Sequence, residues 1–352
     1  MAVLSFKDIN IIGLSACVPA NTIVNRKYTK NFSPEEASLI VEKTGIEERR
    51  FALQGTTASD LCFFAAEQLL SELEIARSEI DVLIFVSQTA DFRMPATSII
   101  LQDRLGLDKG TLAFDINIGC SGYVYGLSVA FLYAQQPNIN KVLLLDGETR
   151  SRVYSPKDRK TAFLFGDGGS ATLIEKKEHI GSSMFSMGSD GSRQDLIKMN
   201  AGGYRNPSSS ESMREKVVDD YGNIRSDEHG YMKGADVFSF VLREIPKNFK
   251  ELLLYSNSEI SKIDKFFFHQ ANKYMNDFLG KKLKVPAEKA PQSLKKFGNT
   301  SSVSIPLTIV DHYGGLVTSD ESWLLSGFGV GMSWASCILP IQNLKILPLI
   351  EI

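Results

Sequence analysis

The sequence predicts an α/β protein built as two similar halves, and three observations predict it. Short apolar runs alternate with amphipathic stretches along the chain, the pattern of sheets covered by helices. The strand-like run "EIDVLIFVSQ" (79–88) is echoed by "KIDKFFFHQ" (262–270), each after a helix-like segment, residues 59–73 in one case and 235–253 in the other. Two further pairs follow in the same order: "NIGCSGYVYGLSVA" (117–130) with "KFGNTSSVSIPLTI" (296–309), and "VLLLDGE" (142–148) with "WLLSGFG" (323–329). The offset stays near roughly 180 residues, and ordered matches at one offset mark a duplication. The boundary is placed near residue 176, giving halves 1–176 and 177–352, because "EKKEHIGS" (175–182) follows the strand-like "SATLIE".

Taken along the chain, Ile11–Val18 reads as the first strand. Lys7 and Asp8 interrupt the segment before it, which argues against a secretory leader. Residues 189–232 have no counterpart in the first half and are rich in Ser, Gly, Asn and Asp. A long irregular segment inside a compact α/β protein is expected either to cover a site or to be an inconsequential surface insertion; we read a cap.

Composition narrows the function. With 43% hydrophobic and 23% charged residues and a net charge of -2, the 352-residue chain is an ordinary globular protein, and its charge balance excludes wholesale binding of nucleic acid or membrane. No apolar run approaches the roughly 18 residues of a membrane span. Cys17, Cys62, Cys120 and Cys337 lie far apart without CxxC spacing, so neither a zinc site nor a disulfide framework is signalled, and a cytoplasmic, reducing setting is expected.

The duplication also locates a site. Loops at the carboxyl ends of matching strands meet where ligands bind in open sheets. Cys120 follows the strand "TLAFDINI", Asn299 occupies the matching turn of the second half, and His269 ends "KFFFH". These three are expected to converge. A thiol is a strong nucleophile only as thiolate, and the start of the helix at 121–135 favours that charge. Histidine and asparagine side chains donate hydrogen bonds to a carbonyl oxygen that gains negative charge. Isolated cysteines and histidines are ordinarily packed or locally bonded residues, and Cys17, Cys62, Cys337, His179, His229 and His312 are read so.

The motifs "HQAN" (269–272), "GNTSSVSIP" (298–306) and "GCSG" (119–122) resemble the β-ketoacyl-acyl carrier protein synthase III family of condensing enzymes. Supporting matches are "TGIEERR" (44–50), "FGDGGSATL" (165–173), "SDGS" (189–192) and "GFGVGMSW" (327–334). The resemblance implies a thiolase-like fold, a duplicated five-layered α-β-α-β-α arrangement with halves related by a pseudo-twofold axis. It implies transfer of an acyl group from a thioester to Cys120, then decarboxylative Claisen condensation with malonyl-acyl carrier protein. His269 and Asn299 would hold the donor carbonyl, and the backbone N–H groups of Cys120 and Val330 would form an oxyanion hole. Substrate contacts would come from Arg152, Phe238 and Asn272, and from Met94 in the loop "DFRMPAT" (91–97) of a homodimer partner. Coenzyme A or carrier-protein thioesters would be substrates, and no bound metal or redox cofactor is implied.

Six lysines, Lys273, Lys281, Lys282, Lys284, Lys295 and Lys296, cluster after "HQAN" and read either as a solvated helix face or as a docking surface for an acidic carrier protein, centred on Lys281 and Lys282. Departures from the family pattern fall on recognition: Leu39 stands where a Trp is usual, Lys43 and Tyr274 where Arg is common, and Ala235 where Asn is common. Transfer of the acyl group to a hydroxyl or amine without decarboxylation therefore stays open. So does an acyl-binding protein that has lost catalysis. A papain-like protease shares the Cys, His, Asn order but not the local signature around the nucleophile.

Overall fold

Residues 2–352 are described in the computed structural model. The architecture rests on strands β1 (Ala2–Lys7), β2 (Ile9–Val18), β3 (Ile80–Val86), β4 (Leu112–Ile116), β5 (Lys141–Thr149), β6 (Asp167–Lys176), β7 (Ser182–Ser189), β8 (Lys265–Phe268), β9 (Glu321–Gly329) and β10 (Ser333–Ile341). Five helices cover them: α1 (Ala58–Glu72), α2 (Gly122–Ala134), α3 (Gly234–Tyr255), α4 (Lys273–Leu283) and α5 (Ser304–Tyr313).

The strands form two sheets with one repeated order. In the first, β2-β6-β5-β3 are neighbours, antiparallel except for the parallel pair β5 and β3, and β4 extends the parallel edge. In the second, β7-β10-β9-β8 follow the same sequence of antiparallel, antiparallel and parallel pairings. The echo of 79–88 in 262–270 is thus an echo of β3 in β8, and that of 142–148 in 323–329 is an echo of β5 in β9.

Alternation along each strand builds the layers. Val82, Ile84 and Val86 of β3 face a central layer with α2 and α5, where they share a core with Trp323, Leu325, Ala335 and Cys337 of the second sheet. Leu83 and Phe85 point the other way, onto α1. On the far side of the second sheet, Phe266, Phe268 and Leu324 pack against Val237, Phe240, Val241 and Phe249 of α3 and Met275 and Leu279 of α4. The result is α-β-α-β-α. Its position between two sheets explains why α2 is apolar nearly all round, with Tyr123, Val124, Leu127, Ala130 and Phe131 all buried.

Two expectations need amendment. The strand at 11–18 is second in the chain, not first: β1 precedes it, and Asp8, with φ of 60°, turns one into the other. The division at residue 176 coincides with the end of β6, yet the halves exchange edges. β1 pairs with β7 of the second sheet, while Leu316–Val317, Lys345–Ile346 and Ile350–Glu351 extend the first. Residues 189–232 fold into a 3-10 turn, a single helical turn (Ser210–Met213) and two short antiparallel ribbons, Ile197–Met199 with Gly230–Met232 and Lys216–Val217 with Ile224–Arg225. Arg225 ties this segment to the buried Asp158 at 2.8 Å.

Candidate active site

Cys120 closes the loop between β4 and α2, immediately before Ser121, which caps α2. It is 7% exposed, and its Sγ lies 3.8 Å from Ser301 Oγ of the second half. The approach depends on glycine: a Cβ on Gly329 would stand 2.7 Å from Cys120 Cβ and 2.8 Å from Sγ. Burial pushes the thiol up, but the His269 charge and hydrogen bond, the Arg150 charge and the Ser301 hydroxyl outweigh it and hold the thiol at about 7. At the other cysteines no positive charge offsets burial, and the backbone hydrogen bonds at Cys62 and Cys337 do not outweigh it. Burial pushes Cys17 up to about 12 and raises Cys62 and Cys337 well above the ordinary thiol range, as expected for packing residues.

His269 continues β8, its N–H donating to the Ser326 carbonyl of β9 at 2.8 Å. The ring is 2% exposed and meets Phe328 edge to face, with centroids 5.5 Å apart. Its Nδ1 lies 3.0 Å from the Ser301 carbonyl oxygen and 2.8 Å from Ser304 Oγ. A carbonyl only accepts, so the Ser301 contact requires Nδ1 to carry the proton and leaves the Nε2 lone pair to take one from the thiol. Asn299 is fixed by the backbone. Ser301 N–H donates to Asn299 Oδ1 at 2.9 Å, which fixes the amide nitrogen as the donor edge; one of its hydrogens goes to the Ala271 carbonyl at 3.4 Å and the second is left for a substrate oxygen. Gly298, with φ of 66°, makes the turn before it, where a Cβ would meet the Leu164 carbonyl at 2.6 Å.

Cys120, His269, Asn299, Val330 and Asn272 all line one cleft. Asn272 also caps α4, its Oδ1 accepting from Met275 N–H at 2.8 Å. Three expected substrate contacts lie elsewhere in this chain. Phe238 is not part of the cleft wall; it stacks on Tyr274 at 5.3 Å and meets Phe278 edge-on at 5.6 Å, because its position on α3 faces α4 rather than the sheet. Arg152 is exposed and donates to the Leu53 carbonyl at 2.6 Å. Met94 is 77% exposed on its loop. Lys281 and Lys282 lie on the last turn of α4, Lys282 donating to the Leu242 carbonyl at 2.7 Å. Of the other lysines in the cluster, Lys273, Lys295 and Lys296 already pair with Asp277, Glu47 and Asp311.

Sequence reasoning missed Ser301 and Ser304, which orient His269, and Arg150, which lines the cleft beside Cys120. A signal for Arg150 existed: at the same roughly 180-residue offset it falls opposite the glycine run that ends β9. Among the described residues, no group of three or more His, Cys, Asp or Glu side chains is placed to hold a metal. None of the helices is long and apolar enough to cross a membrane, again among those residues.

A duplicated α/β sandwich with cysteine, histidine and asparagine meeting at its strand and helix ends defines the thiolase-fold, acyl-transferring class. Comparison with known proteins narrows this. The family model for 3-oxoacyl-[acyl-carrier-protein (ACP)] synthase III matches residues 114–191, and the model for its C-terminal part matches 254–341, segments that hold Cys120 and then His269, Asn299 and Val330. The β-ketoacyl-[acyl-carrier-protein] synthase III of Fusobacterium nucleatum is 32% identical over 337 residues, 95% of this chain and 98% of that protein. The solved 3-oxoacyl-(acyl-carrier protein) synthase of Burkholderia xenovorans superposes with a TM-score of 0.92 at 36% identity, covering 100% of this chain and 99% of that one. The synthase III of Thermus thermophilus gives 0.80 at 31% identity, covering 95% and 99%. The chain belongs to the β-ketoacyl-acyl carrier protein synthase III family.

Proposed function

We propose that this chain is a condensing acyltransferase that loads a starter acyl group on Cys120 and extends it with a malonyl unit from acyl carrier protein. The observation that carries the reading is the juxtaposition of a low-pKa buried thiol with His269 and Asn299, contributed by the other half of the fold. In the first stage the Cys120 proton passes to His269 Nε2 and Sγ attacks the starter thioester carbonyl. The backbone N–H groups of Cys120 and Val330 take the oxyanion, and the leaving thiol departs with the proton held by His269. In the second stage malonyl thioester loses carbon dioxide, His269 and Asn299 hold the enolate oxygen, and the enolate carbon attacks the Cys120 thioester and releases the thiolate.

The second stage needs a hydrogen on Nε2. Ser304 supplies the latitude for it: its hydroxyl donates to the Ser301 carbonyl at 2.7 Å, accepts from Gln270 N–H at 3.2 Å and reaches Nδ1 at 2.8 Å, so it is placed to donate to Nδ1 when the ring proton moves to Nε2. The chemistry calls for no bound metal or redox cofactor. A homodimer is supported by β4, an edge strand with Leu112 45% exposed, and by the apolar residues Phe92 and Met94 exposed on the neighbouring loop. Four free cysteines fit a reducing, cytoplasmic setting.

Intact-mass measurement after incubation with acyl-coenzyme A and acyl-carrier thioesters tests this. An acyl adduct is expected on the wild-type chain and none on Cys120→Ala, with carbon dioxide released once malonyl thioester is added. Unchanged condensation by Cys120→Ala would overturn the reading, and turnover onto a hydroxyl or amine without carbon dioxide would favour the non-decarboxylating alternative.

A further inference from the structure

Arg150 is an unusual wall for a cleft whose other lining includes Leu164, Phe165, Ile197, Met232, Val237 and Val241. It is 5% exposed. One guanidinium nitrogen donates to the Tyr154 hydroxyl at 2.9 Å, another reaches Gln88 Oε1 at 3.5 Å, and Nε has no partner among the described residues. The charged plane lies 5.4 Å and 5.8 Å from the rings of Tyr154 and Phe165, which stack on each other at 4.0 Å. Among the described residues the guanidinium forms no ion pair within 4.0 Å. Arg150 also borders a second cavity, lined by Gln88, Asn117 and Lys198, that shares Tyr154, Ile197 and Val330 with the first.

A buried cation without an ion-pair partner is costly, and its neighbours have to compensate. Two anionic groups act on Arg150 across the site: Glu148, wholly buried and accepting from Gln88 N–H and the Thr89 hydroxyl, and the sulfur of Cys120. Acylation removes the second of these. Once the thiolate becomes a neutral thioester, Arg150 is left with Glu148 alone, and its unpartnered Nε remains buried. An alkyl chain entering the cleft would return no counter-charge to this guanidinium. A carboxylate on the acyl group would restore the lost counter-charge through a charge-assisted hydrogen bond.

We propose that Arg150 is a specificity residue that selects starter acyl groups bearing a carboxylate, that is, monoacyl thioesters of short dicarboxylic acids. The proposal rests on the acyl-Cys120 reading above. The loading step is ordinary thioester exchange: the bond from Cys120 Sγ to the acyl carbon forms, the bond to coenzyme A sulfur breaks, and the Cys120 proton leaves with the coenzyme A thiol. The carboxylate of the starter takes no part in it and pairs with Arg150.

The test compares starters matched in carbon number, succinyl- against butyryl-coenzyme A and glutaryl- against pentanoyl-coenzyme A, by time-resolved intact mass of the full chain. Wild-type protein is expected to load the carboxylated member at least roughly tenfold faster, the weight of one charge-assisted pair. Arg150→Leu should slow loading of every starter, because the thiol loses one of the charges that lower it, and should reverse the order between the matched pairs, while Arg150→Lys should retain part of the preference. Equal or faster loading of the plain acyl groups by the wild-type chain would overturn the proposal while leaving Cys120 as the acyl carrier. An unchanged preference in Arg150→Leu would also overturn it. No adduct from any starter would overturn the acyl-enzyme reading and this inference together.

Discussion

His269 Nδ1 lies 3.0 Å from the carbonyl oxygen of Ser301, and Ser301 is the same residue whose N–H orients Asn299 and whose hydroxyl faces the Cys120 sulfur. One residue, held at a φ of 57°, therefore touches all three members of the site. The left-handed backbone is what allows its carbonyl, amide and side chain to point at different partners within one turn.

Removal of the Ser304 hydroxyl is predicted to separate the two stages. In Ser304→Ala the Ser301 carbonyl still holds the Nδ1 proton, so Nε2 keeps its lone pair and starter loading should fall less than about threefold, the effect of a minor hydrogen bond. The tautomer with hydrogen on Nε2 loses its Nδ1 partner, so condensation should fall by roughly tenfold or more. Single-turnover acylation and malonyl-dependent carbon dioxide release measure the two. A parallel loss in both would mean that Ser304 serves only the fold.

The thiol sets a pH dependence. With the thiol pulled below its ordinary value to about 7, the reactive thiolate is the form present above that pH, and alkylation of Cys120 by iodoacetamide should rise through an inflection near pH 7. In His269→Ala, burial is opposed only by Arg150 and Ser301, so the inflection moves upward and the rate at pH 7 falls at least about tenfold. An inflection that stays near 7 in the variant would remove His269 from the thiol's activation.

What was legible in the chain followed from register. Strand ends repeat at one offset, and Cys120, His269 and Asn299 lie at such ends, so main-chain periodicity located them before any contact was known. Side chains whose role depends on what faces them were harder. Arg150 stands out only once the aromatic pair Tyr154 and Phe165 is seen beneath it. Phe238 reads as cleft lining until α4 is seen to supply Tyr274 and Phe278. The strand β1 fails differently: six residues of which only Phe6 is buried contain nothing that says which of two sheets they join.

Gly329→Ala should abolish loading. The added methyl would sit 2.7–2.8 Å from Cys120 Cβ and Sγ, closer than carbon and sulfur tolerate, and would push the thiol off the line to His269. Overpacking of this kind costs about 1–3 kcal/mol of stability. Intact-mass loading and urea denaturation check both effects, and normal loading in a folded variant would show that the cleft has room the geometry denies it.

If an acidic carrier protein docks on this lysine cluster, Lys281 and Lys282 are predicted to carry it, because three neighbours already have carboxylate partners. Reversing both to Glu should raise KM for malonyl-acyl carrier protein by about three- to tenfold at low salt and leave KM for a small malonyl thioester mimic unchanged. Equal effects on the two substrates would place the carrier elsewhere.

Beneath the site, Asp146 is fully buried, with Oδ1 accepting from the Ser302 hydroxyl at 2.6 Å and Oδ2 without a partner among the described residues. Burial raises its carboxyl well above the usual range, against the Ser302 hydrogen bond and with help from Glu148 and Cys120. An acid raised on folding costs stability as pH climbs from its unfolded value of about 3.9 toward the folded one, because the folded state must hold a proton that the unfolded state has released. Asp146→Asn removes that cost, so the variant should be as stable as the wild type near pH 4 and gain on it at pH 7. Ser302→Ala takes away the hydroxyl that donates to Oδ1 and should lose about 1–3 kcal/mol. Urea unfolding across that pH range measures both, and an Asn variant that weakens relative to wild type as pH rises would mean that Asp146 is buried as a carboxylate.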